Sequence, residues 1–413
     1  MLRSGIVQNR LQCFVAIVAV SFCGICSAAQ AATPHWVASW GSSQMRATGD
    51  ALPSQELTGT TLRQIVHLSV GGDKIRLHLS NAFGESPLVL DRVSVARRDT
   101  GGRDVIQPAT KIAVRFGGRI SVSIPMGAEY LSDEIALPAV PLSDLVITVL
   151  VRQAPATVTF HAGARATSYV LHGDHVADAR LDSAKTVTQW YFLAGVEVAN
   201  PQAAGAVVAL GDSITDGRGV TTDANERWTD VLAQRSARNS IGVVNQGIGG
   251  NRILEDGLGP NALSRFVRDV LAIPGAHCLI VLEGVNDLGV LDRLAAHPTA
   301  AHEDLVNGLE NALRQMVELA HAHGLRVLGG TVMPFQGSEY YHPSEQTEAD
   351  RQQLNQWIRT SGIFDGIVDF DQIMRDPSRP GYLAAEVDSG DHLHPNPAGY
   401  KRMGEAIPLN LLQ

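Results

Sequence analysis

Two rhythms of apolar and polar residues divide the chain. From about Thr33 to Tyr191, apolar residues recur in short runs separated by glycine, proline and polar punctuation. Residues 62–70 and 74–79 flank Gly71-Gly72-Asp73 and predict a hairpin, and residues 112–116 and 119–124 about Gly117-Gly118 predict a second. Residues 145–151 and 157–160 continue the pattern, with no long helical period. Many short strands joined by such turns predict an all-β sandwich or jelly roll over residues 32–200.

After about Ala203 the rhythm changes. Apolar runs at 206–210, 242–245, 278–282, 325–332 and 366–370 alternate with helical periods, among them 224–238 and 302–323. In the second of these, Leu305, Leu309, Leu313, Met316 and Leu319 form one stripe, and Gly324 supplies a stop. Near-continuous apolar strands alternating with helices predict a parallel sheet covered on both faces, over residues 201–413. Residues 200–205 form the join.

Residues 1–31 read differently again. Arg3 and Arg10 precede a short apolar core at 14–22, and Ala29-Gln30-Ala31 gives a small-x-small cleavage pattern. This is the pattern of a signal peptide cut near Ala31/Ala32, and the expected location is secreted or periplasmic. The run is too short to span a bilayer, and no convincing lipobox precedes Cys23 or Cys26. Three of the four cysteines fall in this leader, so Cys278 alone remains and no internal disulfide is expected. Of the 413 residues 45 % are apolar, enough for a sizeable core, and the net charge of −9 argues against a nucleic-acid or polybasic membrane-surface protein.

Candidate chemistry sits at the ends of the predicted parallel strands. Gly211-Asp212-Ser213-Ile214-Thr215-Asp216-Gly217 follows the first, where open α/β sheets place ligands; the same residues also suit a plain helix cap. The second ends in Asn245-Gln246-Gly247-Ile248-Gly249-Gly250-Asn251, a glycine-rich turn that does not complete a dinucleotide-binding fingerprint. The third ends in Glu283-Gly284-Val285-Asn286-Asp287, where a side-chain amide can donate to an oxyanion or cap a helix. Near the C-terminus, Asp391-His392-Leu393-His394 can supply a base and its orienting carboxylate, or, with His392 included, the start of a metal cluster. Each block alone is bland. Together they bring a nucleophile, oxyanion donors and a base to one end of one sheet.

The four blocks, in this order and with Gly-Asp-Ser, glycine, G-x-N-D and D-x-x-H, resemble those of the SGNH, or GDSL, hydrolase superfamily from about Ala206 onward. The resemblance implies a flavodoxin-like three-layer α/β/α domain with a five-stranded parallel sheet. It implies Ser213 as nucleophile, His394 as base and Asp391 as its orienting partner. The Ser213 N–H, the Gly250 N–H and the Asn286 amide would form the oxyanion hole. The first block reads GDSIT rather than GDSL, and no G-x-S-x-G occurs. The whole mature chain further resembles xylanase-cluster secreted esterases, through Trp36-Val37-Ala38-Ser39-Trp40, Leu79-Ser80-Asn81-Ala82-Phe83-Gly84, Ile214-Thr215-Asp216-Gly217, Arg227-Trp228 and Leu282-Glu283-Gly284.

The resulting expectation is a carboxylic ester hydrolase that forms an acyl-enzyme on Ser213 and needs no cofactor or metal. The substrate is a small-molecule or polysaccharide ester, in the first place an O-acetylated carbohydrate. A short-chain aryl ester or lipid is the alternative. No nucleic-acid partner and no membrane association of the mature form are expected, and the sequence does not fix the oligomeric state. A remoter reading is a carbohydrate-binding protein with an inactive hydrolase half, in which Trp36, Trp40 or Tyr130 stacks on sugars. The two halves should form one structural unit, with Asn81 or His161 candidates to line the cleft.

Overall fold

The computed structural model describes residues 35–49 and 51–412. The leader and its cleavage site lie outside the described residues. The front half is an antiparallel β-sandwich. One sheet runs Lys185–Val187, Ser168–His172, Thr60–His67, Asp144–Gln153, Leu88–Arg97, Ile112–Ala113, with Val122–Ile124 also paired to Leu88–Arg97. The other runs Trp36–Gly41, Leu193–Ala199, Lys74–Ser80, Glu129–Leu131. In Lys74–Ser80, period-two alternation buries Ile75, Leu77 and Leu79. These meet Leu62, Val66, Val93, Ile147 and Val149 of the larger sheet in one core.

Both expected hairpins are corrected. Thr60–His67 pairs with Asp144–Gln153 and Ser168–His172, whereas Lys74–Ser80 pairs with Leu193–Ala199 and Glu129–Leu131. The chain therefore crosses from one sheet to the other at Gly71-Gly72. Neither glycine has positive φ, which the favoured two-residue hairpin turns require. They are there for close approach: a Cβ on either would stand 2.5 Å from the carbonyl oxygen of Ala139 or Ala199. At Gly117-Gly118 the turn forms, with φ of 58° and 78°, but its arms share only the Phe116–Arg119 bridge. The long Leu88–Arg97 strand takes up both arms instead.

The back half is a five-stranded parallel sheet in the order Ile241–Gly247, Gly205–Gly211, Ala276–Leu282, Arg326–Gly330, Gly366–Val368. Numbered along the chain this is 2-1-3-4-5, the flavodoxin-like arrangement. Trp228–Ser236 and Pro397–Ala406 pack together, and Thr299–Ala322 packs on Glu345–Thr360, giving three layers. Cys278 is buried in the central strand. Thr299–Ala322 confirms the strongest helical period, and Gly324 (φ 78°) ends it. Its buried stripe is shifted: Leu309, Leu313, Met316 and Ala320 are buried, whereas Leu319 is 41 % exposed. The helix expected over 224–238 starts later, at Trp228, because Asp223 and Asn225 adopt positive φ.

The halves share a core. Ala206, Val244 and Ile248 of the parallel sheet belong to the sandwich's apolar cluster. The outward N–H of Val243 donates to Ser69 Oγ at 2.9 Å, and Ala38 N–H to the Pro274 carbonyl at 2.9 Å.

Candidate active site

The first parallel strand ends at Gly211, and the chain turns into one helical turn, Ser213–Asp216. Asp212 caps it, its carboxylate accepting the Ile214 N–H at 2.8 Å. Ser213, 6 % exposed, is thereby fixed just past the strand's carboxyl end. Its Oγ lies 2.8 Å from His394 Nε2, and His394 Nδ1 lies 2.6 Å from Asp391 Oδ2. The other Asp391 oxygen accepts the N–H groups of Leu393 and His394 at 3.0 and 2.8 Å. Partial burial would raise the Asp391 carboxyl, but the hydrogen bonds from the His394 side chain and from these N–H groups outweigh it and hold it well below the usual carboxylate range. His392 is turned to another partner, Asp388, at 2.5 Å.

The second and third blocks meet beside this line. Asn245 donates to the Thr215 carbonyl at 2.6 Å and so ties the serine turn to the neighbouring strand. Gly250 has φ 69°, a left-handed position that suits glycine. Asn286, 3 % exposed, stands in the first turn of Val285–Leu291. Its Nδ2 donates to the Asn251 carbonyl at 2.6 Å, which joins it to the residue after Gly250. The amide has a second N–H left to offer. Asp287 accepts the N–H groups of Ile253 and Leu254 at 2.9 and 3.1 Å, which closes the second block on the third. Burial pushes the Asp287 carboxyl up to about 6 against those hydrogen bonds, and pushes Asp212 and Glu283 up as well. The structure thus brings together Ser213, Gly250, Asn286 and the Asp391–His394 pair, from four segments of the chain.

Several supporting residues escaped the sequence. Arg265, fully buried, donates to Asn251 Oδ1 at 2.6 Å, to the Gly211 carbonyl at 3.1 Å, to the Gln246 carbonyl at 2.7 Å and to Ser43 Oγ at 2.8 Å. Asp269 at 3.1 Å and Glu283 at 3.4 Å balance its charge. One guanidinium therefore ties the ends of the first two strands to the front half. Tyr341 reaches Asn286 from the loop after Arg326–Gly330. An arginine in a short helix and a tyrosine in a loop carry no sequence signal of such roles.

The front-half candidates are reassigned. Asn81 is fully buried and donates to the carbonyls of Ser86, Ile124 and Pro125, shaping a turn. His161 is buried too: Nδ1 faces the Ser43 carbonyl at 2.8 Å and Nε2 faces Asp216 Oδ1 at 2.9 Å. Trp40 is 8 % exposed and packs edge-on against Trp190, so it is a core residue rather than a sugar platform. Trp36 lies under the Arg76 guanidinium, while Tyr130 is partly exposed. The cavity between the halves, lined by Trp40, His161, Trp190, Asp216 and Arg227, holds only about 40 Å³, space for water rather than for substrate.

Residues 209–402 match the GDSL-like Lipase/Acylhydrolase family, so the back half carries a domain of that family. No curated protein matches the chain. Among solved structures, a protein of the G-D-S-L family from Desulfitobacterium hafniense DCB-2 is 26 % identical; the match covers 49 % of this chain and 96 % of that one, with a TM-score of 0.36. An aryl esterase from M. smegmatis is 18 % identical over 49 % of this chain and 95 % of its own, with a TM-score of 0.38. A carbohydrate acetylesterase from Sinorhizobium meliloti is 15 % identical over 50 % and 98 %, with a TM-score of 0.37.

Proposed function

We propose that the protein is an exported serine ester hydrolase that removes short acyl groups, acetyl in the first place, from carbohydrate esters. The observation that carries this reading is the hydrogen-bonded line from Ser213 Oγ through His394 to Asp391. His394 Nε2 takes the hydroxyl proton as Ser213 attacks the ester carbonyl, and Asp391 holds the ring in place. Negative charge on the tetrahedral oxygen meets the Ser213 N–H, the Gly250 N–H and the free N–H of Asn286. His394 then returns the proton to the departing alcohol, leaving an acyl-enzyme. Water, deprotonated by His394 in turn, releases the acid and restores Ser213.

One feature supports a sugar ester. The front-half segments resemble those of xylanase-cluster esterases. Export rests on the leader pattern in residues 1–31. The test is turnover of acetylated xylo-oligosaccharides against p-nitrophenyl esters of rising chain length, with Ser213→Ala as control. Acetate release that Ser213→Ala abolishes is the expected result. Activity rising with acyl length, and none on acetylated sugars, would move the substrate to lipids. Full activity in Ser213→Ala would sink the assignment.

A further inference from the structure

The amide of Asn286 donates an oxyanion hydrogen bond only when its NH2 end faces the reacting carbonyl, and a side-chain amide can flip. One contact settles which way it faces, and a second fixes where it stands. The Asn251 carbonyl, 2.6 Å away, can only accept, so the nitrogen stands on that side. On the opposite side the Tyr341 hydroxyl donates to Asn286 Oδ1 at 2.5 Å. A flipped amide would set its oxygen against the Asn251 carbonyl oxygen and lose that bond, whereas the Tyr341 hydroxyl, able to donate or accept, would hold the amide in place either way.

A slot is built for this tyrosine. Gly289 lies one helical turn after Asn286, on the same face of Val285–Leu291. A Cβ there would stand 2.5 Å from the Tyr341 ring, so the ring occupies the space that any other residue would fill. Glycine inside a helix is otherwise destabilising. Tyr341 is 3 % exposed, with Phe335 edge-on at 6.1 Å and Tyr340 at 4.7 Å between ring centroids. Burial pushes its phenol well above the usual range, so it remains a donor at working pH.

We propose that Tyr341, seated in the gap left by Gly289, is a positioning residue that pins the Asn286 amide oxygen and so fixes the place from which the free N–H, oriented by the Asn251 carbonyl, meets the oxyanion. This rests on the esterase reading above. It places a residue outside the four blocks in control of the oxyanion hole, through Asn286 rather than by touching substrate.

The experiment is a double-mutant cycle on the full chain, with p-nitrophenyl acetate as substrate. Tyr341→Phe keeps the ring in its slot and removes only the hydroxyl. It should lower kcat about tenfold, the size of one well-placed hydrogen bond, with KM within about twofold and a small loss of thermal stability, since the buried Asn286 oxygen loses a partner. In an Asn286→Ala background the same change should have no further effect on kcat, because the amide it positions is gone. Gly289→Ala, which on helix propensity alone would stabilise, should instead lower kcat by displacing the ring. Equal kcat effects of Tyr341→Phe in both backgrounds, or none in the wild type, would overturn the positioning role. If turnover survives Ser213→Ala, the esterase reading fails first. If Ser213→Ala is inactive while Tyr341→Phe is unimpaired, only the present inference fails.

Discussion

His161 Nε2 lies 2.9 Å from Asp216 Oδ1, three residues after Ser213, and so the sandwich half grips the base of the serine turn. The contact is buried on both sides. Burial would raise the Asp216 carboxyl, but His161, Arg165 and Arg227 outweigh it and hold it low. Gly163 leaves room for it, since a Cβ there would coincide with the carboxylate.

His161→Ala takes one partner from this buried carboxylate and leaves it Arg165 at 3.3 Å, so the cost should stay below the ~3–5 kcal/mol of a stranded charge, on the order of 1–3 kcal/mol. Urea denaturation at neutral pH should show a loss of that order, and kcat should fall as the serine turn loosens. An unchanged midpoint together with full activity would mean that Arg165 and Arg227 suffice.

Asn286→Ala should lower kcat by ~10²–10³ and leave KM within a few-fold, provided acylation limits turnover. If kcat were kept and KM rose, the residue would be binding substrate in its ground state instead.

Arg265→Met should destabilise by about 3–5 kcal/mol, because Asn251, Gly211, Gln246 and Glu283 would stay buried and lose this donor, while Asp269 keeps Arg268 at 2.6 Å. Arg265→Lys should recover only part of this. A single ammonium cannot serve Asn251, Gly211, Gln246 and Ser43 together. Equal stability of the Lys variant and the wild type would show that charge alone matters at this position.

Asp287 gives the fold a pH dependence. Its carboxyl is raised to about 6, so between about pH 4 and 6 the folded protein keeps a proton that the unfolded chain has released. Stability should therefore fall as pH rises through that window, by up to roughly 3 kcal/mol from this group. The carboxyls that folding lowers, such as Asp216 and Asp144, add stability that is present above about pH 4 and lost only below it. Denaturation curves across the window should slope downward in the wild type and less so in Asp287→Asn. Identical slopes in the two proteins would rule the group out.

Residues 201–413 expressed alone should not give soluble, active protein. Ala206, Val244 and Ile248, buried against the sandwich, would face water. Soluble product with unchanged activity would make the front half an appendage.

Strand ends were the legible part of the sequence, because a parallel sheet writes itself as apolar runs and its ligands gather where those runs stop. Ser213, Gly250 and Asn286 follow directly, and His394 with Asp391 fit one loop. What stayed hidden is set by partners far along the chain. Gly71-Gly72 looks like a hairpin turn until Ala139 and Ala199 are seen pressing on it. Trp40 looks like a platform until Trp190, 150 positions on, covers it. Arg265 reaches Ser43 across 222 positions, and Tyr341 reaches Asn286 across 55.

The hydroxyl of Ser69 bears on association between molecules. Ile241–Gly247 is an outer strand of the parallel sheet, and the outer strand on the opposite side, Gly366–Val368, has only three residues. An outer strand of seven residues offers a row of backbone groups on which a foreign strand could grow. Ser69 Oγ occupies the Val243 N–H, while its own proton goes to the Ser39 carbonyl at 2.6 Å. The ladder thus ends on a side chain that cannot continue it. By this contact the sandwich half closes one rung of the edge on which a second sheet could grow.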